Sequence, residues 1–199
     1  MPLNFSDIEI NPSLLTFEVQ LNAGEVVVMR PLESDDVNLL TEFLQNLSIK
    51  TRENYTLDSY DFRKAQEMCD AISKYDKLRF VVINQSTEKL IALFEFSFDI
   101  PGGDRLRFKD YNLNLNAKTD CRIGPCILDA YQNKGVGTAL FPYLIDITKQ
   151  FDKKRMILWG GVFKKNKKAI NFYIKNGFKI LGSFKDGQGI ESIDMIIYF

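Results

Sequence analysis

The residues with the clearest chemical potential run from Ile127 to Ala139, Ile-Leu-Asp-Ala-Tyr-Gln-Asn-Lys-Gly-Val-Gly-Thr-Ala, where an apolar strand pattern gives way to a polar turn and then a helix. A helix beginning there leaves its first N–H groups without intrahelical acceptors. Its peptide dipoles place partial positive charge at the same end, so phosphate oxygens are favoured partners. Gly135 and Gly137 remove the Cβ atoms that would hold a pyrophosphate away from the backbone, Lys134 adds charge and Thr138 a hydroxyl. The run is neither a Walker loop, GxxxxGK(S/T), nor a complete dinucleotide fingerprint, because Leu140 stands where the third glycine belongs. An isolated GxG also serves as a plain turn and helix start. A second segment, Asn166 to Phe178, reads as a capped helix, with Asn166 at its N-cap and Gly177 where a left-handed residue ends it. Ala169 and Tyr173 share one face, as do Ile170 and Ile174, and helix physics alone makes Tyr173 a packed aromatic.

The order and spacing of the two segments together, Gln132-x-x-Gly135-x-Gly137 after a strand and then the Asn166 to Phe178 helix, resemble the acyl-CoA pyrophosphate loop and the later motif of the GNAT superfamily of N-acyltransferases. The resemblance is strong from about Cys121 to Phe184 and extends in outline from Glu25. It implies acetyl-CoA as co-substrate, held by Ile127, Leu128, Asp129, Gln132, Asn133, Lys134, Gly135, Val136, Gly137, Thr138, Asn166 and Tyr173, with no metal. It also implies that the pantetheine arm lies like an added strand in a splay between the strands at 121–128 and 156–162, pairing with backbone groups at Ile127 and Asp129. Transfer would be direct. A substrate amine attacks the thioester, N–H groups of the splayed strand polarise its carbonyl, and the Tyr173 phenol protonates the leaving thiolate. Two positions depart from the family pattern: Asp129 stands where proline is frequent, and Pro142 falls inside the following helix, where it should kink or shorten it. Cys121 and Gly161 occupy the places of a glutamate base, which leaves Glu95 and Asp120 as the nearest carboxylates.

Those residues need a scaffold, and the composition permits one. The chain has 199 residues, 45% hydrophobic and 26% charged, enough for one domain that buries roughly 70% of its unfolded surface without a disulfide or metal staple. Twenty-six basic residues balance 26 acidic ones, so no global positive field points to nucleic acid. The absence of histidine excludes Ser-His-Asp and Cys-His catalytic units and argues against a zinc enzyme. Three cysteines without CxxC spacing suit free thiols in a reducing compartment, and the sequence shows neither a leader pattern nor a membrane span, so the cytoplasm is expected.

Periodicity predicts a mixed, mostly antiparallel α/β (α+β) sheet flanked by helices, with residues 1–24 as an extension carrying a candidate strand at Leu14 to Leu21 and residues 25–199 as the GNAT-like domain. Strands are expected at Glu25 to Arg30, Leu78 to Asn84, Leu90 to Phe98, Cys121 to Leu128 (interrupted at Gly124-Pro125), Met156 to Val162, Phe178 to Phe184 and Ser192 to Tyr198. Helices are expected after Ser34-Asp35-Asp36, from about Asp58 with Ala65, Met68, Cys69 and Ile72 inward, at Gly135 to Lys149, and at Lys167 to Asn176. The alternation of Tyr111, Leu113 and Leu115 with Asn112, Asn114 and Asn116 predicts an extra strand between Pro101 and Ala117. Trp159 reads as core, and Lys164, Lys165, Lys167 and Lys168 as a solvated helix start or as contacts to coenzyme A phosphates.

The expected function is transfer of acetyl to a primary amine of a small molecule or peptide, by a monomer or homodimer without nucleic-acid or membrane partners. Two other classes stay open: a non-catalytic acyl-CoA-binding or sensing domain, and a nucleotide-binding protein using the same loop.

Overall fold

The computed structural model describes residues 2–22, 24–71, 77–187 and 189–199. The expected inward residue Ile72 lies outside them. The strands are β1 (Phe17–Gln20), β2 (Val26–Pro31), β3 (Lys77–Asn84), β4 (Lys89–Ser97), β5 (Asp120–Ile127), β6 (Arg155–Leu158), β7 (Val162–Phe163), β8 (Lys179–Lys185) and β9 (Glu191–Tyr198). The helices are α1 (Phe5–Ile10), α2 (Val37–Gln45), α3 (Ile49–Arg52), α4 (Phe62–Asp70), α5 (Gly102–Lys109), α6 (Val136–Gln150) and α7 (Lys167–Lys175). The strands form one sheet in the order β1-β2-β3-β4-β5-β6-β9-β7, with β8 also paired to β9. β5 runs parallel to β6, whereas β1–β2, β2–β3, β6–β9, β7–β9 and β8–β9 are antiparallel, giving the mixed, mostly antiparallel sheet expected.

Two compact units divide the chain. The first comprises Leu3–Glu95 and Pro125–Tyr143. In it α2 and α4 bring Leu40, Phe43, Leu44, Ala65, Met68 and Cys69 against Val81, Leu93 and Cys126, the α4 residues as their helical spacing foretold. Asp61 caps α4, accepting from Lys64 N–H at 3.1 Å. Asp36 precedes α2 but does not cap it. Its carboxylate takes a bidentate pair from Arg30 at 2.7 and 2.6 Å, a charge-assisted bond that outcompetes a local cap. The Asn84 side chain accepts from Ser86 N–H (3.0 Å) and Thr87 N–H (3.2 Å), turning the chain from β3 into β4 where Glu88 takes a φ of 55°. The candidate strand at Leu14 to Leu21 shrinks to β1, because Pro12–Leu15 forms a 3-10 turn; α1 before it starts on a capping box between Asn4 and Asp7.

The second unit comprises Phe96–Gly124 and Leu144–Phe199. Here no strand forms between Pro101 and Ala117: α5 takes Gly102–Lys109, and the alternating residues lie in the turn and loop after it. Asn112 sits at φ 58°, which no strand tolerates, and Leu113 N–H turns back to Phe108 O at 3.1 Å. The apolar and asparagine residues do alternate in burial, but Leu115, with Tyr111 and Leu113 at its margin, packs into a cluster with Phe108, Ile157 and Ile196. Ion pairs then fix α5. Arg107 reaches Asp104 (2.8 Å) and the fully buried Asp194 (2.7 Å), and Arg122 reaches Asp104 (3.4 Å). The expected strand at 156–162 is two strands, because Gly160 and Gly161 both adopt positive φ (70° and 71°) and interrupt it. β5 passes through Gly124-Pro125 without a break, yet its ladder with β6 covers only Asp120–Arg155 to Ile123–Leu158. α6 runs through Pro142 for its full 15 residues, so the proline does not shorten it. Trp159 is half-buried, not core, and stacks against Arg122 at 4.6 Å.

Candidate active site

In the first unit β5 ends at Ile127, Asp129–Tyr131 forms a 3-10 turn, and α6 opens at Val136. Asn133 (φ 60°) and Gly135 (φ 82°) are both left-handed, a conformation that turns successive N–H groups toward one side. The first intrahelical bond of α6 runs from Ala139 N–H to Gly135 O at 2.9 Å. The N–H groups of Val136, Gly137 and Thr138 open the helix ahead of that bond and have no intrahelical i−4 partner. N–H groups at a helix start of this kind can take an anion. Lys134 lies above the Tyr131 ring at 5.5 Å and is exposed, as is Thr138.

Upstream of that helix start, side chains engage the protein itself. Gln132 Nε2 donates to Ile127 O (2.9 Å) and to Thr51 Oγ1 (3.0 Å), and Leu128 N–H donates to Ile91 O (2.9 Å). The Ile127 carbonyl therefore already has one donor. Asp129 accepts from Ser48 N–H (3.0 Å), Ser48 Oγ (2.6 Å) and Thr51 Oγ1 (2.8 Å). Partial burial pushes its pKa up, but the bonds from Ser48 and Thr51 outweigh that and hold the carboxyl below the ordinary range. Ser48 is itself the N-cap of α3.

The carboxylates that sequence nominated as bases are engaged. Glu95, on β4, accepts from Arg79 Nε at 2.6 Å and from the Tyr55 hydroxyl at 2.5 Å, and is 7% exposed. Tyr55 is raised well above the ordinary phenol value, first by burial and then by the Glu95 charge. Asp120 is wholly buried and holds Arg155 through both oxygens (2.5 and 2.7 Å). Cys121 is buried, and burial pushes its thiol up. Cys69 and Cys126 are likewise free and buried, Cys69 being pushed up to about 12, chiefly by burial.

In the second unit Asn166 caps α7 as expected, accepting from Ala169 N–H at 3.2 Å, and Gly177 takes the left-handed φ of 93°. Tyr173 is buried on the inner face between Phe172 and Phe178 (centroids 5.3 and 5.1 Å), and burial raises its pKa. Lys164 pairs with Glu191 (2.6 Å) and Lys165 lies over Phe163 (5.8 Å), so half of the lysine cluster is committed locally. Among the described residues no group of histidine, cysteine, aspartate or glutamate could hold a metal ion, and no helix is long and apolar enough to cross a membrane.

The sequence matches the family model described as acetyltransferase (GNAT) family over residues 44–178. The chain belongs to the GNAT family. No curated protein matches it. Among solved structures it is similar to the GNAT domain of S. lividans PAT, at TM-score 0.72 and 18% identity, covering 94% of this chain and 99% of that one. It is also similar to the ribosomal-protein-S5-alanine acetyltransferase from Vibrio fischeri (TM-score 0.70, 14% identity, 92% and 96% covered). A third similar structure is aminoglycoside acetyltransferase AAC(6')-Ib in complex with coenzyme A and kanamycin (TM-score 0.66, 18% identity, 86% and 94% covered). Within this GNAT chain, sequence reasoning located the loop and the α7 motif but missed Ser48, Thr51, Tyr55 and Arg79. Ser48 had a readable signal as a cap before Ile49. Tyr55 and Arg79 had none, since each takes its meaning from Glu95, 40 and 16 positions away.

Proposed function

We propose that the protein transfers the acetyl group of acetyl-CoA to a primary amine of a small molecule or peptide by direct attack. The supporting observation is the turn into α6, where left-handed Asn133 and Gly135 stand just before the N–H groups that open the helix, in a chain of the GNAT family. The N–H groups at a helix start suit a diphosphate, Gly135 and Gly137 bring no side chain there, and Asn166 and Tyr173 match the family's later motif. The amine nitrogen forms the new C–N bond, the C–S bond breaks with its electron pair going to sulfur, and the Tyr173 phenol gives the thiolate a proton. In this reading Glu95 collects the amine's proton by way of the Tyr55 hydroxyl bonded to it. An α-amine, with a pKa near ~8, needs less of that help than a lysine near ~10.4. The three buried free thiols support a reducing, cytoplasmic location.

The test is calorimetry with acetyl-CoA followed by thiol release against a panel of amines. Binding with turnover on at least one amine is the expected result. Binding without turnover across a broad panel would instead favour a sensor, a reading that the engaged state of Glu95 and Asp120 keeps open. No heat with acetyl-CoA on folded protein would overturn the assignment, and tighter binding of ATP than of coenzyme A would favour the nucleotide reading.

A further inference from the structure

Asp129 poses an electrostatic problem that its surroundings answer. A carboxylate a few residues from a diphosphate cradle repels the ligand, unless what it holds in place outweighs the repulsion. What it holds is α3. Ser48 N–H, Ser48 Oγ and Thr51 Oγ1 all donate to it, at 3.0, 2.6 and 2.8 Å. Thr51 Oγ1 accepts in turn from Gln132 Nε2 at 3.0 Å, and the same Nε2 donates to Ile127 O at 2.9 Å. The circuit Ile127–Gln132–Thr51–Asp129 therefore closes on itself and spans the turn between β5 and α6. A helix of four residues does not stand alone in water, so α3 depends on these bonds as the turn depends on α3.

We propose that Asp129 is a positioning residue for acetyl-CoA binding: by anchoring α3 through Ser48 and Thr51, its side chain holds the backbone from Ile127 to Gln132 in the binding geometry. The proposal rests on the reading of the loop as an acetyl-CoA site. It assigns the side chain a role distinct from the backbone pairing expected at this residue, and it makes Thr51, which lies outside the loop, a determinant of cofactor affinity. Because Thr51 precedes Tyr55 by one helical turn, the same anchor sets the start of the segment that carries Tyr55 to Glu95.

The two effects of Asp129 have opposite signs, which makes Asp129→Asn decisive. The substitution removes the charge, which favours the diphosphate. It also turns one acceptor into an amide donor, so at least one of the three bonds to Ser48 and Thr51 is lost. Calorimetry of acetyl-CoA with the full chain should show binding weakened about fivefold, the scale of a lost hydrogen bond between partly exposed groups. Thr51→Val should weaken it similarly, Thr51→Ser should restore it, and the Asp129→Asn/Thr51→Val double variant should be little worse than either single one, since all cut one circuit. A merely structural role would lower the melting temperature of the two Thr51 variants without separating them in cofactor affinity. Equal or tighter binding by Asp129→Asn, or equal affinity for Thr51→Val and Thr51→Ser, overturns the proposal while the binding site stands. If the parent protein itself binds no acetyl-CoA, the functional reading fails and this proposal falls with it.

Discussion

Gly137 is buried at the second position of α6, so an aspartate there places volume and negative charge among the N–H groups from Lys134 to Thr138. Gly137→Asp should raise the dissociation constant of coenzyme A at least tenfold in calorimetry, with repulsion of the diphosphate as the cause. Tyr173 is tested differently. Tyr173→Phe keeps the packing against Phe172 and Phe178 and removes only the hydroxyl, so turnover should fall about a hundredfold while coenzyme A affinity stays within about twofold. Unchanged turnover would remove the phenol from the mechanism. Burial raises the folded-state pKa of Tyr173 above the unfolded value near ~10, so the phenol stays protonated throughout the neutral range. The stability its neutral form contributes is full below pH ~10 and is lost as pH rises beyond it. A pH profile of turnover should therefore show no loss between pH 8 and 10 assignable to this group. At this scale much was legible: the glycines, the Asn166 cap and Gly177 obey rules spanning a few residues. The engagement of Glu95 and Asp120 was not, because Arg79 and Arg155 reach them across 16 and 35 positions.

Elements were legible where one period dominated. The repeat of Val37, Leu40, Phe43 and Leu44 gave α2, and the apolar runs gave β2, β3, β4, β8 and β9 within a residue or two. Reading failed where alternation had another cause. Between Pro101 and Ala117 the alternating residues belong to a chain folding back on α5, whose place is set by Arg107, Asp104 and Asp194. The Gly160-Gly161 pair falls inside a strand-like apolar run, although each residue sits at a positive φ. Gly161 separates β6 from β7, and a Cβ there would stand 2.9 Å from Ile193 O and 2.9 Å from the Phe184 ring. Gly161→Ala should lower stability by about 2–4 kcal/mol, combining left-handed strain with displacement of β9 backbone, as measured by urea denaturation. A change below about 0.5 kcal/mol would mean that β7 shifts freely.

At the scale of the molecule, the residues before Glu25 look like an appendage by sequence, and the family match begins only at residue 44. Leu15 is completely buried, Val19 and Leu21 are each 5% exposed, and β1 covers the edge of β2 from Phe17–Met29 to Gln20–Val26. Three such side chains contribute about 5–9 kcal/mol of burial, comparable to the whole stability of a domain of this size. Deleting residues 1–24 should therefore abolish a cooperative thermal transition in calorimetry. A transition within about 5 °C of the parent would show the extension to be dispensable.

The amino-acid sequence by itself determined the turn that opens α6, the capped helix bearing Tyr173, the sheet's periodicity and the absence of imidazole chemistry, because each follows from interactions within one or two turns of chain. Tertiary structure alone decided which carboxylates are engaged, how a turn and loop after α5 replace a strand and how Asp129 reaches Ser48 across 81 positions. The reason is physical: a hydrogen bond or ion pair forms wherever folding leaves donor and acceptor about 3 Å apart, and separation along the chain carries no trace of that distance.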